Sequence, residues 1–355
     1  MRRIPSKDRD VWPFLSVLIP CYNEKDFIGP CLDSVLANDY PQDRIEILVV
    51  DGNSSDGTAD VLSDYARRDS RIRVLKNVRR MISASLNVGI DSARGEVVCR
   101  LDAHAQYSPR YFRNCVKALQ TDSAASVGGV WKILPRKNTP LGRAIAAAYA
   151  HPFGIGNAAY RIGDVTAPKE VDTVPFFCCW TSLLRDLGPH NENLIRSEDM
   201  EFNSRLKAKG GRILLLPDVI CYYYARSDGM VFLAHTFKNG VYITAPWLLH
   251  GRFFFSIRHI VPLFFSAAVM GGVAVGGLWP QSRPWVGLLL VPYAVVSLAA
   301  SAHVAWVRRR WEYLFTMPAV FFALHFFYGL GSLWGIVVGL IAKWKVNDHK
   351  ESVTL

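Results

Sequence analysis

Four clusters of polar side chains could do chemistry, and all of them lie in the first 202 residues. In Arg100-Leu-Asp-Ala-His-Ala105, Asp102 and His104 stand two residues apart at the end of an apolar run. Residues i and i+2 share a face in extended backbone, so the carboxylate and the imidazole can reach one divalent cation together with diphosphate oxygens. A polar strand end with a surface histidine has the same composition. In Asp51-Gly-Asn-Ser-Ser-Asp-Gly-Thr58 a second apolar run stops at a carboxylate that can accept hydrogen bonds from a ribose or a base. Asp56 or Ser55 can cap the helix that follows, and a plain capped turn would read the same way. Ser197-Glu-Asp-Met-Glu-Phe202 opens a helical stretch that runs to Lys209 and stops at Gly210-Gly211. Acids suit a helix N-terminus; alternatively Asp199 points into a cleft and takes a hydroxyl proton as general base. The fourth cluster, Asn23 and Glu24, ends the run Val17-Leu-Ile-Pro-Cys-Tyr-Asn-Glu24.

These residues need a scaffold that gathers loop ends. Short apolar runs at 15–19, 45–50 and 97–101, with weaker ones at 72–75 and 213–216, read as buried strands. Helical periodicity fills 27–36, 58–66, 84–93 and 109–119. Alternating strand and helix predicts an α/β domain with a largely parallel sheet. Such sheets bind ligands at the carboxyl ends of their strands, where the polar clusters fall.

The chain has 355 residues, with 41 Lys and Arg against 30 Asp and Glu, a net charge of +11. From His259 onward only 7 of those cations and 3 of those acids remain. Two unlike parts are joined, which excludes a simple soluble enzyme and a disordered chain. Stretches 259–279, 285–307 and 313–342 lack Asp, Glu, Lys and Arg, and each is long enough to span a bilayer as helix. Gly272 and Gly276, and Gly331, Gly335 and Gly339, have the spacing that permits close helix contact. Arg252 and Arg258 before the first span and Arg308, Arg309 and Arg310 after the second place those loops in the cytoplasm by the positive-inside rule. Three spans are expected, although a re-entrant hairpin near Gly329 and Gly331 would keep Lys343, Lys345 and Lys350 on the cytoplasmic side. Residues 230–258 mix aromatics with cations and read as an interfacial helix on anionic lipid. No nucleic-acid motif accompanies the positive charge. The seven cysteines all precede the apolar part, odd in number and without CxxC spacing, and read as reduced packing thiols. The basic start lacks a following apolar stretch, so no cleavable signal is expected.

The ordered set Val17–Glu24, Val50–Thr58, Leu101-Asp-Ala-His104 and Ser197-Glu-Asp199 resembles the motifs of family 2 glycosyltransferases with the GT-A fold. Val171-Asp-Thr-Val-Pro-Phe176 and Lys207-Ala-Lys-Gly-Gly-Arg-Ile213 point towards the bacterial exopolysaccharide branch, similar to the succinoglycan-biosynthesis glucosyltransferase type. The resemblance implies a GT-A catalytic domain at 14–229, after a tail at 1–13. An interface segment at 230–258, three transmembrane helices within 259–342 and a tail at 343–355 complete the chain. It implies that Pro20, Tyr22, Glu24 and Asp51 line the base and ribose pocket. Asp102 and His104 would hold Mg²⁺ or Mn²⁺ on the donor diphosphate, His104 standing where the family has a second carboxylate. Asp199 would be the base with Glu198 beside it, and Arg226 would lie near phosphate. The expected reaction is an inverting transfer of one sugar from a nucleotide sugar, a UDP-sugar by preference, to a polyprenyl-diphosphate-linked glycan. It would take place at the cytoplasmic face of the bacterial inner membrane. No QxxRW follows the acidic motif, which disfavours a processive synthase. Intact acidic positions disfavour a non-catalytic nucleotide-sugar-binding subunit.

Overall fold

The computed structural model describes residues 12–163, 165–194, 196–250 and 256–352. Arg252, assigned above to the membrane surface, lies outside them. The chain forms two compact units: residues to Lys132 with Ala159–Tyr223, and Ile133–Ala158 with Tyr224 onward.

The first unit begins with β1 (Leu15–Cys21), α1 (Lys25–Leu36), β2 (Ile45–Asp51), α2 (Thr58–Arg68), β3 (Ile72–Lys76), α3 (Ile82–Ser92), β4 (Val97–Arg100), β5 (Ala105–Tyr107) and α4 (Tyr111–Thr121). After β6 (Ser126–Pro135) the chain makes α5 (Pro140–Ala148) and α6 (Pro152–Ile155) of the second unit. It returns through α7 (Ala159–Ile162), β7 (Lys169–Glu170), β8 (Cys178–Trp180), α8 (Thr181–Leu187), α9 (Glu198–Ala208) and β9 (Ile213–Ala225). One nine-stranded sheet has the order β3-β2-β1-β4-β8-β6-β9-β5, with β7 against β9. Every residue of β1, β2 and β4 is buried, which is why they read as unbroken apolar runs rather than alternating ones. These strands and β3 pair in parallel. The pairs β4–β8, β6–β8, β5–β9 and β7–β9 are antiparallel. The strand expected at 213–216 extends to Ala225, because its far half is only partly covered and lacks a continuous apolar signature.

The second unit adds α10 (Gly229–His250), α11 (Val261–Leu278), α12 (Arg283–Arg308) and α13 (Glu312–Ser352). Helices spanning Ile257–Leu278, Pro280–Arg308 and Glu312–Lys343 are long and apolar enough to cross a membrane. Phe264, Val273, Leu288 and Val295 expose large apolar side chains along α11 and α12, as expected for lipid-facing helices. The third span is one continuous helix rather than a hairpin, and it absorbs residues 343–352, expected as a tail. Helix α10, expected at the membrane surface, packs along α13. Glycines permit that approach: a Cβ on Gly331 would meet Phe237 O at 2.0 Å, and one on Gly240 would meet Tyr328 O at 2.0 Å. Residues 133–158 fall within the span expected for the catalytic domain, yet they group with these helices. The reason is the apolar face of α5, where Ala144, Ile145 and Ala148 are fully buried in a cluster with Tyr313, Met317 and Phe321.

Candidate active site

The parallel strands end on three loops that share one rim. Asp51 closes β2, and its Oδ1 accepts hydrogen bonds from Ser54 Oγ (2.5 Å) and Ser54 N (3.2 Å). The β1–α1 loop is laced to this turn. Asn23 N donates to Ser54 Oγ (2.9 Å), Glu24 N to Thr58 Oγ1 (2.9 Å) and Lys25 N to Asp56 Oδ2 (3.1 Å). Asp56 also accepts from Thr58 N (3.0 Å), so it binds the start of α2 as the sequence implied, and Ser55 instead donates its N–H to Asn23 Oδ1 (2.9 Å). Tyr22 is 44% exposed above this rim, with the guanidinium of Arg80 5.9 Å from its ring centre. Pro20 is buried inside β1 opposite Val50.

Asp102 follows β4, and its backbone is pinned. Its N–H donates to Tyr107 Oη (2.7 Å), and that hydroxyl donates to Asp102 O (3.1 Å). His104 sits between two carboxylates. Its Nδ1 is 2.9 Å from Glu24 Oε1, and its Nε2 is 3.3 Å from Asp102 Oδ2. Glu24 therefore engages His104, which sequence spacing did not anticipate. Among the described residues no three His, Cys, Asp or Glu side chains converge as a self-sufficient metal site. Asp102 and His104 still suit a divalent cation shared with a diphosphate. Cis ligands about 2.1 Å from an octahedral ion lie about 3 Å apart, and Mg²⁺ sites commonly combine one or two protein ligands with substrate phosphates.

The ED segment approaches through Arg100. Arg100 Nη2 and Glu198 Oε1 form a buried ion pair at 3.0 Å, and Arg100 Nη1 donates to Pro175 O. Glu198, expected beside the base, is turned inward onto Arg100 at the start of α9. Burial pushes both Glu198 and Asp199 above the usual carboxylate range, while Arg100 opposes the rise. Asp199 is half-buried and accepts backbone N–H groups, including that of Met200. Ser197 makes no side-chain cap and has φ +66°, a conformation that costs a non-glycine residue energy and concentrates at functional sites. Asn23, Asn53 and Arg80, in the loops after β1, β2 and β3, share positive φ.

Two buried groups feel the surrounding carboxylates. Glu24, Asp51, Asp56 and Asp102 all act on the Cys21 thiol, whose pKa burial raises first. Asp102, Glu198 and Asp199 all act on Arg100. An aromatic wall adjoins them: Tyr223 packs edge-on to His104 (5.5 Å) and stacks on Trp131 (4.4 Å). Arg161 lies 5.1 Å over Trp131 and lowers the pKa of Asp199. Arg100, Arg161 and Arg80 escaped sequence reading, since single arginines carry no spacing signal. Arg226 belongs to the second unit, where its Nη1 is 3.1 Å from His235 Nδ1. His151 and Phe153, read from sequence as a loop over the acceptor side, also lie in the second unit, and Phe153 O is 2.9 Å from His325 Nε2.

Residues 16–185 match the model of the glycosyl transferase family 2 family. The chain is 33% identical over 305 residues to a probable glycosyltransferase, YdaM, of Bacillus subtilis, covering 78% of this chain and 69% of that one. It is 25% identical over 338 residues to a dolichyl N-acetyl-alpha-D-glucosaminyl phosphate 3-beta-D-2,3-diacetamido-2,3-dideoxy-beta-D-glucuronosyltransferase of Methanococcus voltae, covering 92% and 98%. The mannosyltransferase PcManGT of Pyrobaculum calidifontis, solved with GDP-Man and Mn²⁺, superposes with a TM-score of 0.56 at 23% identity over 92% of this chain and 89% of that one. The fold is therefore GT-A followed by apolar helices, the chain is a glycosyltransferase, and it belongs to glycosyltransferase family 2.

Proposed function

We propose that this enzyme transfers one sugar, with inversion, from a nucleotide sugar to a polyprenyl-diphosphate-linked glycan at the cytoplasmic membrane face during exopolysaccharide or other surface-glycan synthesis. The observation that carries the reading is the buried ion pair of Arg100, two residues before Asp102, with Glu198, the neighbour of Asp199. Tyr22 and the Asp51 turn offer a nucleoside a stacking face and a carboxylate. Asp102 and His104 would hold Mg²⁺ or Mn²⁺, which when bound neutralises charge on the leaving diphosphate. Asp199 takes the acceptor hydroxyl proton, and burial suits it by raising its basicity. Glu198 and Arg100 fix the loop that presents Asp199. The opposed faces of attack and departure give inversion. The relative from Methanococcus voltae acts on a dolichyl-phosphate-linked sugar, which supports a lipid-linked acceptor, as do the apolar helices and Arg258. UDP-sugars are the preferred donors, and anionic lipid is the expected surface.

The test uses the purified full-length protein in detergent with UDP- and GDP-sugars and polyprenyl-linked acceptors, with and without EDTA. Metal-dependent single-sugar transfer is expected. Transfer undiminished by EDTA would remove the cation role, and undiminished transfer by Asp199→Asn would remove the base. Polymeric product would replace single transfer with processive synthesis.

A further inference from the structure

His104 presents a donor–acceptor problem. A neutral imidazole has one N–H and one lone pair, yet both ring nitrogens face carboxylates, Glu24 Oε1 at 2.9 Å and Asp102 Oδ2 at 3.3 Å. Only one carboxylate can receive the N–H. Glu24 is at hydrogen-bond distance from Nδ1 and therefore takes it, which leaves the Nε2 lone pair aimed toward Asp102. Two negative ends facing each other are relieved by a second ring proton or, when one is bound, by a divalent cation at that edge. Glu24 is itself fixed: its N–H is tied to Thr58 Oγ1 (2.9 Å) and its C=O accepts from Phe27 N (2.9 Å) and Ile28 N (2.9 Å). The far edge of the ring is held by Tyr223 at 5.5 Å.

We infer that Glu24 is a positioning residue that acts through His104. It fixes the tautomer and orientation that turn Nε2 and Asp102 toward one divalent cation. This deepens the proposed cation role of Asp102 and His104 and rests on it. A carboxylate on the outer nitrogen of a metal-binding histidine raises the basicity of the inner one, and losing such a partner typically lowers metal affinity about ten- to a hundredfold. The arrangement also accounts for a histidine in the place of a second carboxylate. Glu24 supplies the negative charge from one bond further out, so the three groups together keep the anionic character that holds a cation against a diphosphate.

The test measures Mn²⁺ binding to full-length protein in detergent, from the electron paramagnetic resonance signal of free Mn²⁺, with UDP or GDP present. Nucleotide affinity is measured separately in EDTA. Glu24→Ala is expected to weaken Mn²⁺ binding about ten- to a hundredfold and Glu24→Gln less, because the amide oxygen still accepts from Nδ1. Metal-free nucleotide affinity should stay within about twofold, since the bond removed is to His104. In a His104→Ala background the further change Glu24→Ala should have little additional effect, because the residue it acts through is gone. Loss of metal-free nucleotide affinity with Mn²⁺ binding unchanged would make Glu24 a nucleoside contact and overturn the inference. Additive losses in the double variant would make Glu24 act independently of His104 and overturn it equally. Wild-type protein that holds no Mn²⁺ with either nucleotide would remove the cation reading itself, a failure distinct from these two.

Discussion

Arg100 ends the strand that leads to Asp102, and it is buried in an ion pair at 3.0 Å with Glu198, the neighbour of Asp199. A buried ion pair is weak evidence for net stability, but breaking it by removing one partner costs about 3–5 kcal/mol. Its functional weight lies in what it does to its neighbours. Asp199 is pushed up by burial and held down by Arg100. A base must be ionised, so activity is lost as pH falls through its raised pKa. The acidic limb of kcat/KM is therefore expected above the ordinary aspartate value of about 3.9, and Arg100→Met should move it higher still. A limb at the ordinary value, unmoved in that variant, would contradict the assignment; a thermal melt separates this from misfolding. His190 gives a second pH effect. Burial, then Arg100 and Arg205, pull it down to about 3. Between that value and the ordinary histidine pKa of about 6.5 the unfolded chain binds a proton the native one does not, so stability falls as pH falls. Replacing His190 with Phe, which fits beside Phe177 and Phe202, is expected to flatten the decline in melting temperature from pH 7 to pH 4.

Among elements, the contact of α10 with α13 leaves no room for added side chains. Gly331 faces Phe237 O, Gly335 faces Thr244 Oγ1 at 2.3 Å and Gly339 faces Leu248 Cβ at 2.9 Å, counted from an added Cβ. Gly331→Val should force the helices apart and cost about 1–3 kcal/mol as overpacking, read as a lower melting temperature in detergent. Gly271→Ala, which meets nothing within 4 Å, is the neutral control, and equal effects would dissolve the argument. The i, i+4 glycine spacing was legible in the sequence, but the partner was not. Residues 230–258 show aromatics and cations, which fit a lipid surface as well as a neighbouring helix. The parallel strands were legible for a similar reason of composition, since β1, β2 and β4 are buried on both faces. Strands β5 and β7 are only 3 and 2 residues long, too short to show a period. The start of α9 is shaped by a local conformation that composition does not show. Ser197 takes a left-handed conformation and makes no side-chain cap, so Asp199 meets the backbone N–H groups instead.

For the whole molecule, three long apolar helices follow a polar unit. By the positive-inside rule, Arg258 before α11 and Arg308–Arg310 at the end of α12 are expected on one side of the membrane. All seven native cysteines are buried, so introduced thiols report topology cleanly. Gln281→Cys, between α11 and α12, is expected to react with an impermeant maleimide from outside intact cells, and Trp311→Cys, between α12 and α13, only after permeabilisation. The reverse pattern would invert the orientation proposed for the catalytic unit.

The sequence alone determined the class of fold, the family and the positions of Asp51, Asp102, His104 and Asp199, because buried parallel strands and polar loop ends leave contiguous marks on a chain. It also determined three membrane-length helices, because lipid demands unbroken apolar runs. Only the tertiary structure decided that Glu24 faces His104, that Glu198 turns inward to Arg100, and that residues 133–158 join the C-terminal helices. Each of those is a contact between segments distant in sequence, Glu24 with His104 across 80 positions and Arg100 with Glu198 across 98. Such contacts depend on how loops close in space, which neither periodicity nor the spacing of a motif encodes.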